Sequence, residues 1–163
     1  MSVKSIKKRY VISGCIISAF LISSSVSLAD DKPNPNLTPG DVLTTDSKVV
    51  CVKGYTRTVR DVPESLKKKV YLSYGITHHK HKEYEVDHLI SLELGGSNSI
   101  KNLWPESYVT KPLNAHIKDV LENKLHSLVC QGKLDLKEAQ KEIAEDWIKA
   151  YTRYIGPLPK QND

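Results

Sequence analysis

The stretch Tyr84 to Ser107, YEVDHLISLELGGSNSIKNLWPES, decides how the rest of this 163-residue chain is read. Tyr84 to Leu89 alternates and is β-prone, Gly95-Gly96-Ser97-Asn98 is a turn-forming run, and Ile100 to Trp104 is again apolar and short. Beyond it, Leu113, Ile117, Val120, Leu121, Leu125 and Leu128 recur at helical spacing, with Lys124 as the one polar interruption. The expected order is strand, loop, strand, helix. In such a unit the helix packs across the hairpin, and its first turn can face the end of the first strand. Asp87 and His88 are neighbours on that strand, so their side chains point to opposite faces unless the strand ends there. They serve one site only in the second case.

The flanks add elements around this centre. Asp30 to Gly40, DDKPNPNLTPG, lacks apolar periodicity and predicts a flexible lead-in running to residue 46. Lys48 to Arg60 has β-branched runs either side of Lys53-Gly54, which suggests a short N-terminal hairpin. Pro63 opens a short helix that stops near Gly75. After Gly132, Asp135 and Glu138 are spaced as a capping pair, and Leu136, Ala139, Ile143, Trp147, Ile148, Tyr151 and Tyr154 mark the buried side of a second long helix ending at Gly156-Pro157. No internal repeat or second domain is visible. The expectation is one α+β domain over 47–157, with 158–163 as a tail.

The first 29 residues read as a targeting segment and not as fold. Lys4, Lys7, Lys8 and Arg9 precede an uncharged stretch from Tyr10 to Leu28, and Ser27-Leu28-Ala29 offers small residues for cleavage after Ala29. A retained membrane anchor and a lipoprotein tether at Cys15 are the competing readings. Cleavage places the protein in the periplasm or outside the cell, with no membrane attachment. It also removes four of the 24 Lys and Arg, leaving 20 against 19 acidic residues, so the precursor charge of +5 is mostly a targeting feature. Attraction to a polyanion must then come from local clusters: Arg57, Arg60, Lys67 to Lys69, Lys80, Lys82 and Lys101. Two cysteines remain, Cys51 and Cys130, and in an oxidising compartment they are expected to pair. Neither has a CxxC neighbour, so a zinc ribbon has no support.

The string EVDHLISLELGGSNSIKNLWP, with Asp87-His88, the Gly95-Gly96 loop and Asn102-Leu103 in order, resembles the signature of the HNH endonuclease superfamily. The resemblance is strong over about a quarter of the mature chain and weak through the following helix to Cys130. It implies a ββα-metal core in which His88 is the general base toward the attacking water, Asp87 ligates a divalent metal, and Asn102 braces the loop by hydrogen bonds to its backbone. The family places its remaining His or Asn ligand at the start of the helix, and here Asn114 and His116 both compete, each farther past Asn102 than is usual. Asn114 lies at the edge of the apolar stripe and His116 well off it, whereas imidazole is the better ligand for transition metals. An Asn, Asp and water shell suits Mg²⁺; a His widens the choice to Mn²⁺, Zn²⁺ or Ni²⁺.

Lys101, Lys111 and Lys118 flank the expected site and are candidates for holding a phosphate backbone, a contact that fixes position without reading sequence. The run HHKHK, from His78 to Lys82, is a second candidate for phosphate and equally a solvated loop. No DNA-reading module is appended. The function so implied is a secreted metal-dependent endonuclease acting on DNA, more readily than RNA, with little sequence preference. The alternatives are a secreted binding or structural module on the same scaffold without turnover, and an RNase or toxin nuclease.

Overall fold

The computed structural model describes residues 32–160; residues 1–29, expected to be a targeting segment, lie outside the described residues. The chain folds as α+β, with five helices and one two-stranded antiparallel sheet among those residues. Strand β1 (Tyr84–His88) pairs with β2 (Leu103–Ser107), with Tyr84 opposite Ser107 and His88 opposite Leu103. Pro105 sits opposite Val86; a proline is tolerated here because a two-stranded ribbon consists of edges. Between the strands the chain makes two 3-10 turns, Leu92–Leu94 and Ile100–Asn102. The second of these takes up the start of the apolar run, so β2 begins three residues later than the run itself.

Two long helices complete the core. Helix α4 (Ala115–Cys130) follows the hairpin, and α5 (Leu136–Tyr154) packs against it, joined through Gly132 in the left-handed region. The Asp135 carboxylate caps α5 by accepting from the amides of Lys137 and Glu138. At Asp146 the backbone leaves helical geometry, and the Asp146 side chain accepts from Ile148 and Lys149, so it caps the second half of α5 across the kink. Leu94, Leu121, Leu125, Ile143 and Trp147 are the sealed centre of the core.

The N-terminal third departs from expectation twice. In place of a hairpin, residues 47–59 form two short helices, α1 (Ser47–Val50) and α2 (Tyr55–Val59). Asp46 accepts from the amide of Lys48 and caps α1, and Gly54, at φ 86°, turns the chain into α2. The β-branched residues here bury single side chains such as Val50 against the helical core, and no strand lies beside them to pair with. The lead-in is also anchored from Lys32 onward. Thr38 is buried and donates to the carbonyl of Leu103, Gly40 donates to that of Lys101, and Leu43 to that of Gly95. Polar, proline-rich sequence that lacks a face of its own is here held by backbone bonds to the loop it covers.

Helix α3 (Glu64–Ser73) spans the segment expected to be helical, and Gly75 follows it at φ 74°. Cys51 and Cys130 are bonded, their Cα atoms 5.6 Å apart, which ties the end of α1 to the end of α4.

Candidate active site

The loop between the strands is built around Asn102, which is fully buried. Its side-chain amide donates to the carbonyls of Ile90 and Ser97, each at 2.9 Å, and its Oδ1 accepts from the amide of Ile90 at 2.9 Å. One side chain thus closes both ends of the loop that follows His88. The two glycines have steric causes. Gly95 lies at φ 77°, and a Cβ there would meet the carbonyl oxygen of Thr44 at 2.5 Å. At Gly96 a Cβ would fall 1.7 Å from the carbonyl oxygen of Ile90. The backbone of the loop folds onto itself too closely for any side chain at that position.

Strand β1 ends at His88, and from there the two neighbouring side chains go to different partners. The His88 ring is buried, with Nε2 3.0 Å from Oδ1 of Asn98. Asn98 is itself held from behind, donating to the carbonyl of Val59 at the end of α2 at 2.7 Å. Burial holds the His88 pKa below its ordinary value, with Arg60 and Lys118 acting the same way and Asn98 and Asp87 only partly opposing it. The imidazole is therefore neutral at pH 7 and able to accept a proton.

Asp87 faces α4 and meets Lys118. The Lys118 ammonium is fully buried and donates to Oδ2 of Asp87 at 2.6 Å, to the backbone carbonyl of His88 at 2.8 Å, and to Glu122 one turn along its own helix. Glu106 on β2 stands 3.9 Å from the same ammonium. Burial pushes Glu122 up to about 8 and Glu106 well above the carboxylate range, while three surrounding carboxyl groups outweigh burial at Lys118 and keep it charged. At Asp87 burial is also outweighed, by the ammonium and by a hydrogen bond with Glu106, so this carboxyl stays ionised. The Oε1 atom of Glu106 is sealed with no donor aimed at it, which suits a neutral carboxyl.

These contacts revise several sequence expectations. Lys118 is not a phosphate contact, because it is enclosed in the interior and all three ammonium hydrogens are committed. Lys101 and Lys111 are exposed but do not line the cleft onto which His88 opens. Asn114 is the cap of α4: its Oδ1 accepts from the amide of Ile117 and its Nδ2 donates to the carbonyl of Thr110, so both ends of the amide are occupied. His116 is exposed, its ring stacked 5.3 Å from that of Tyr108. Of the three expected ligands, Asp87 has its Oδ2 on the Lys118 ammonium, Asn114 is committed to capping α4, and His116 lies at the exposed surface beside Tyr108. Among the described residues, the one cluster of three metal-type donors is Cys51, His126 and Cys130, and its sulfurs are spent in the disulfide.

The cationic surface that does meet His88 comes from elsewhere. A cleft of about 560 Å³ has His88 in its lining together with Arg60, Lys67, Lys82, His79 and His81. Tyr71, Tyr84 and Tyr108 supply aromatic wall, and the His79 ring lies 4.4 Å from that of Tyr71. Glu64 and Glu85 are the acidic members, and each is already engaged, Glu64 with Lys67 and Glu85 with the hydroxyl of Tyr108. Arg60, Lys67, His79, His81 and Lys82 are scattered in sequence and converge only when α2, α3 and β1 are assembled.

Two participants went unread in the sequence. Asn98 looked like one residue of a turn. Glu122 is not singled out by the sequence, and Lys118 is expected there as a phosphate contact, although residues 118, 121, 122, 125 and 129 lie on one helical face and all are buried. Comparison with known proteins adds no constraint: no family model, no curated protein and no solved structure matches the chain.

Proposed function

We propose that the chain is an exported endonuclease of the HNH kind, cutting the phosphodiester bonds of DNA with little sequence preference. The observation that carries this reading is a neutral, buried imidazole at the end of β1 opening onto a cationic cleft. An antiparallel pair, a loop closed by one asparagine and a following helix are the parts that the HNH resemblance calls for.

In this reading a phosphate backbone lies along Arg60, Lys67 and Lys82, and the His88 imidazole takes the proton of the attacking water. Arg60 stands near enough to His88 to disfavour its charged form, so its guanidinium is the side chain best placed to hold the reacting phosphate and the charge that builds on it. The tyrosines offer flat faces to sugars or bases without selecting a sequence. No step is routed through a divalent cation; a metal at Oδ2 of Asp87 would have to displace the Lys118 ammonium bonded there.

The test is digestion of plasmid by the disulfide-bonded chain, in EDTA and in Mg²⁺, Mn²⁺, Zn²⁺ or Ni²⁺. Nicked and linear products are expected, reduced roughly 10²–10⁴-fold by His88→Ala. Intact plasmid in every arm rejects an enzyme acting on DNA, and a parallel RNA digest identifies an RNase. One observation favours a second reading, nucleic-acid binding without turnover: Oδ2 of Asp87 is taken up by the chain's own Lys118 ammonium. A gel shift without shortening, unchanged in His88→Ala, would support that reading over the first.

A further inference from the structure

The hydrogen bond between His88 and Asn98 fixes more than an orientation. A side-chain amide can face the ring either way round, and the two choices assign opposite tautomers. Here the choice is made behind it. The backbone carbonyl of Val59 lies 2.7 Å from Nδ2 of Asn98 and can only accept, so the NH₂ group must point to Val59. Turned over, the amide would bring two carbonyl oxygens to that distance with no hydrogen between them. Oδ1 therefore faces the imidazole, also as an acceptor, and the ring nitrogen opposite it at 3.0 Å must carry the hydrogen.

We propose that Asn98 is the positioning residue of the site: anchored on the Val59 carbonyl, it holds neutral His88 as the Nε2–H tautomer and leaves the lone pair on Nδ1 as the proton acceptor. Nδ1 makes no hydrogen bond among the described residues, yet it is not one of their sealed, unpartnered polar atoms, and the ring lines the basic cleft. The anchor also gives α2 a function. Arg60, the residue after Val59, is delivered to the cleft by the same turn that supplies the carbonyl. The consequence for hydrolysis rests on the nuclease reading above; the tautomer does not.

The test reads the tautomer directly, by long-range ¹H–¹⁵N correlation on the ¹⁵N-labelled, disulfide-bonded chain at a pH where His88 is neutral. A protonated, pyrrole-type Nε2 and a bare, pyridine-type Nδ1 are expected at His88. The reverse assignment overturns the proposal, and this measurement on the unmodified chain decides the matter even where a variant fails to fold. Asn98→Leu removes the acceptor and should give a mixed or inverted tautomer. An unchanged tautomer in Asn98→Leu also overturns it. In the cleavage assay Asn98→Leu should lower kcat roughly tenfold or more with KM little changed, as expected when only the orientation of a base is disturbed. The expected tautomers without cleavage of any substrate would leave this inference standing and remove the nuclease reading. Cleavage with Nδ1 protonated would do the opposite.

Discussion

Replacing Lys118 by methionine tests the interior of the site most sharply. Methionine fills much of the same volume without the charge, so the packing loss is small and the electrostatic loss dominates. The ammonium is enclosed by Asp87, Glu106 and Glu122 and also satisfies the carbonyl of His88. Removing one partner from a buried ionic network leaves the others uncompensated, at a cost of about 3–5 kcal/mol. With roughly 130 ordered residues, the unfolding entropy converts that into a fall in Tm of roughly 10–20 °C. The penalty should depend on pH with a definite sign. Without the ammonium the three carboxyl groups have raised folded-state pKa values, and a group whose folded pKa is raised contributes stability below its unfolded pKa and loses it as pH rises. The variant should therefore lie nearest to wild type around pH 5 and farthest from it at pH 8 and above. Urea titrations across that range measure the difference. A loss under about 1 kcal/mol with the wild-type pH slope would refute the enclosed ammonium. A raised, salt-dependent KM for DNA in a stable variant would return Lys118 to the surface as a phosphate contact.

Three further outcomes follow from the same geometry. Glu122→Gln removes a carboxyl group that burial pushes up to about 8. In the wild type this group contributes stability below about pH 4.5 that is lost as pH rises through 8, so the glutamine variant should show a flatter stability profile over that window in thermal melts. Gly96→Ala should fail to fold or lose several kcal/mol in urea, because its Cβ would sit 1.7 Å from the carbonyl oxygen of Ile90; a variant of wild-type stability would show that the loop relaxes. Reduction, or Cys51→Ser with Cys130→Ser, opens a crosslink between residues 79 apart and should cost about 4–5 kcal/mol by chain entropy, again read in urea.

The parts of the fold legible in the sequence are those in which local pattern and tertiary role coincide. The two long helices carry apolar spacing, a capping Asp135 and a terminating Gly132, and they form where that spacing puts them. The strand ending at Asp87-His88 and the Gly95-Gly96 turn are likewise local statements, enforced by alternation and by a backbone too close to itself for side chains. Val49 to Val59 carried a strand-like composition and became helix, because β-propensity is expressed only where another strand is available to pair with. The lead-in carried no pattern at all, and its order comes from backbone bonds to a loop about 60 residues away.

The site divides along the same line. By itself the sequence determined that an aspartate and a histidine stand side by side on a short strand, that a glycine pair turns the chain after them, and that Cys51 has Cys130 to bond with. These depend on residue type and short spacing, which the chain carries with it. Only the tertiary structure decided that Asp87 meets Lys118, that His88 meets Asn98, and that Arg60, Lys67 and Lys82 gather in one cleft. A charge beside an apolar stripe is ambiguous in one dimension, since lysine is stable in water and equally stable when three carboxyl groups enclose it. Which environment it receives depends on what the neighbouring strands bring to it.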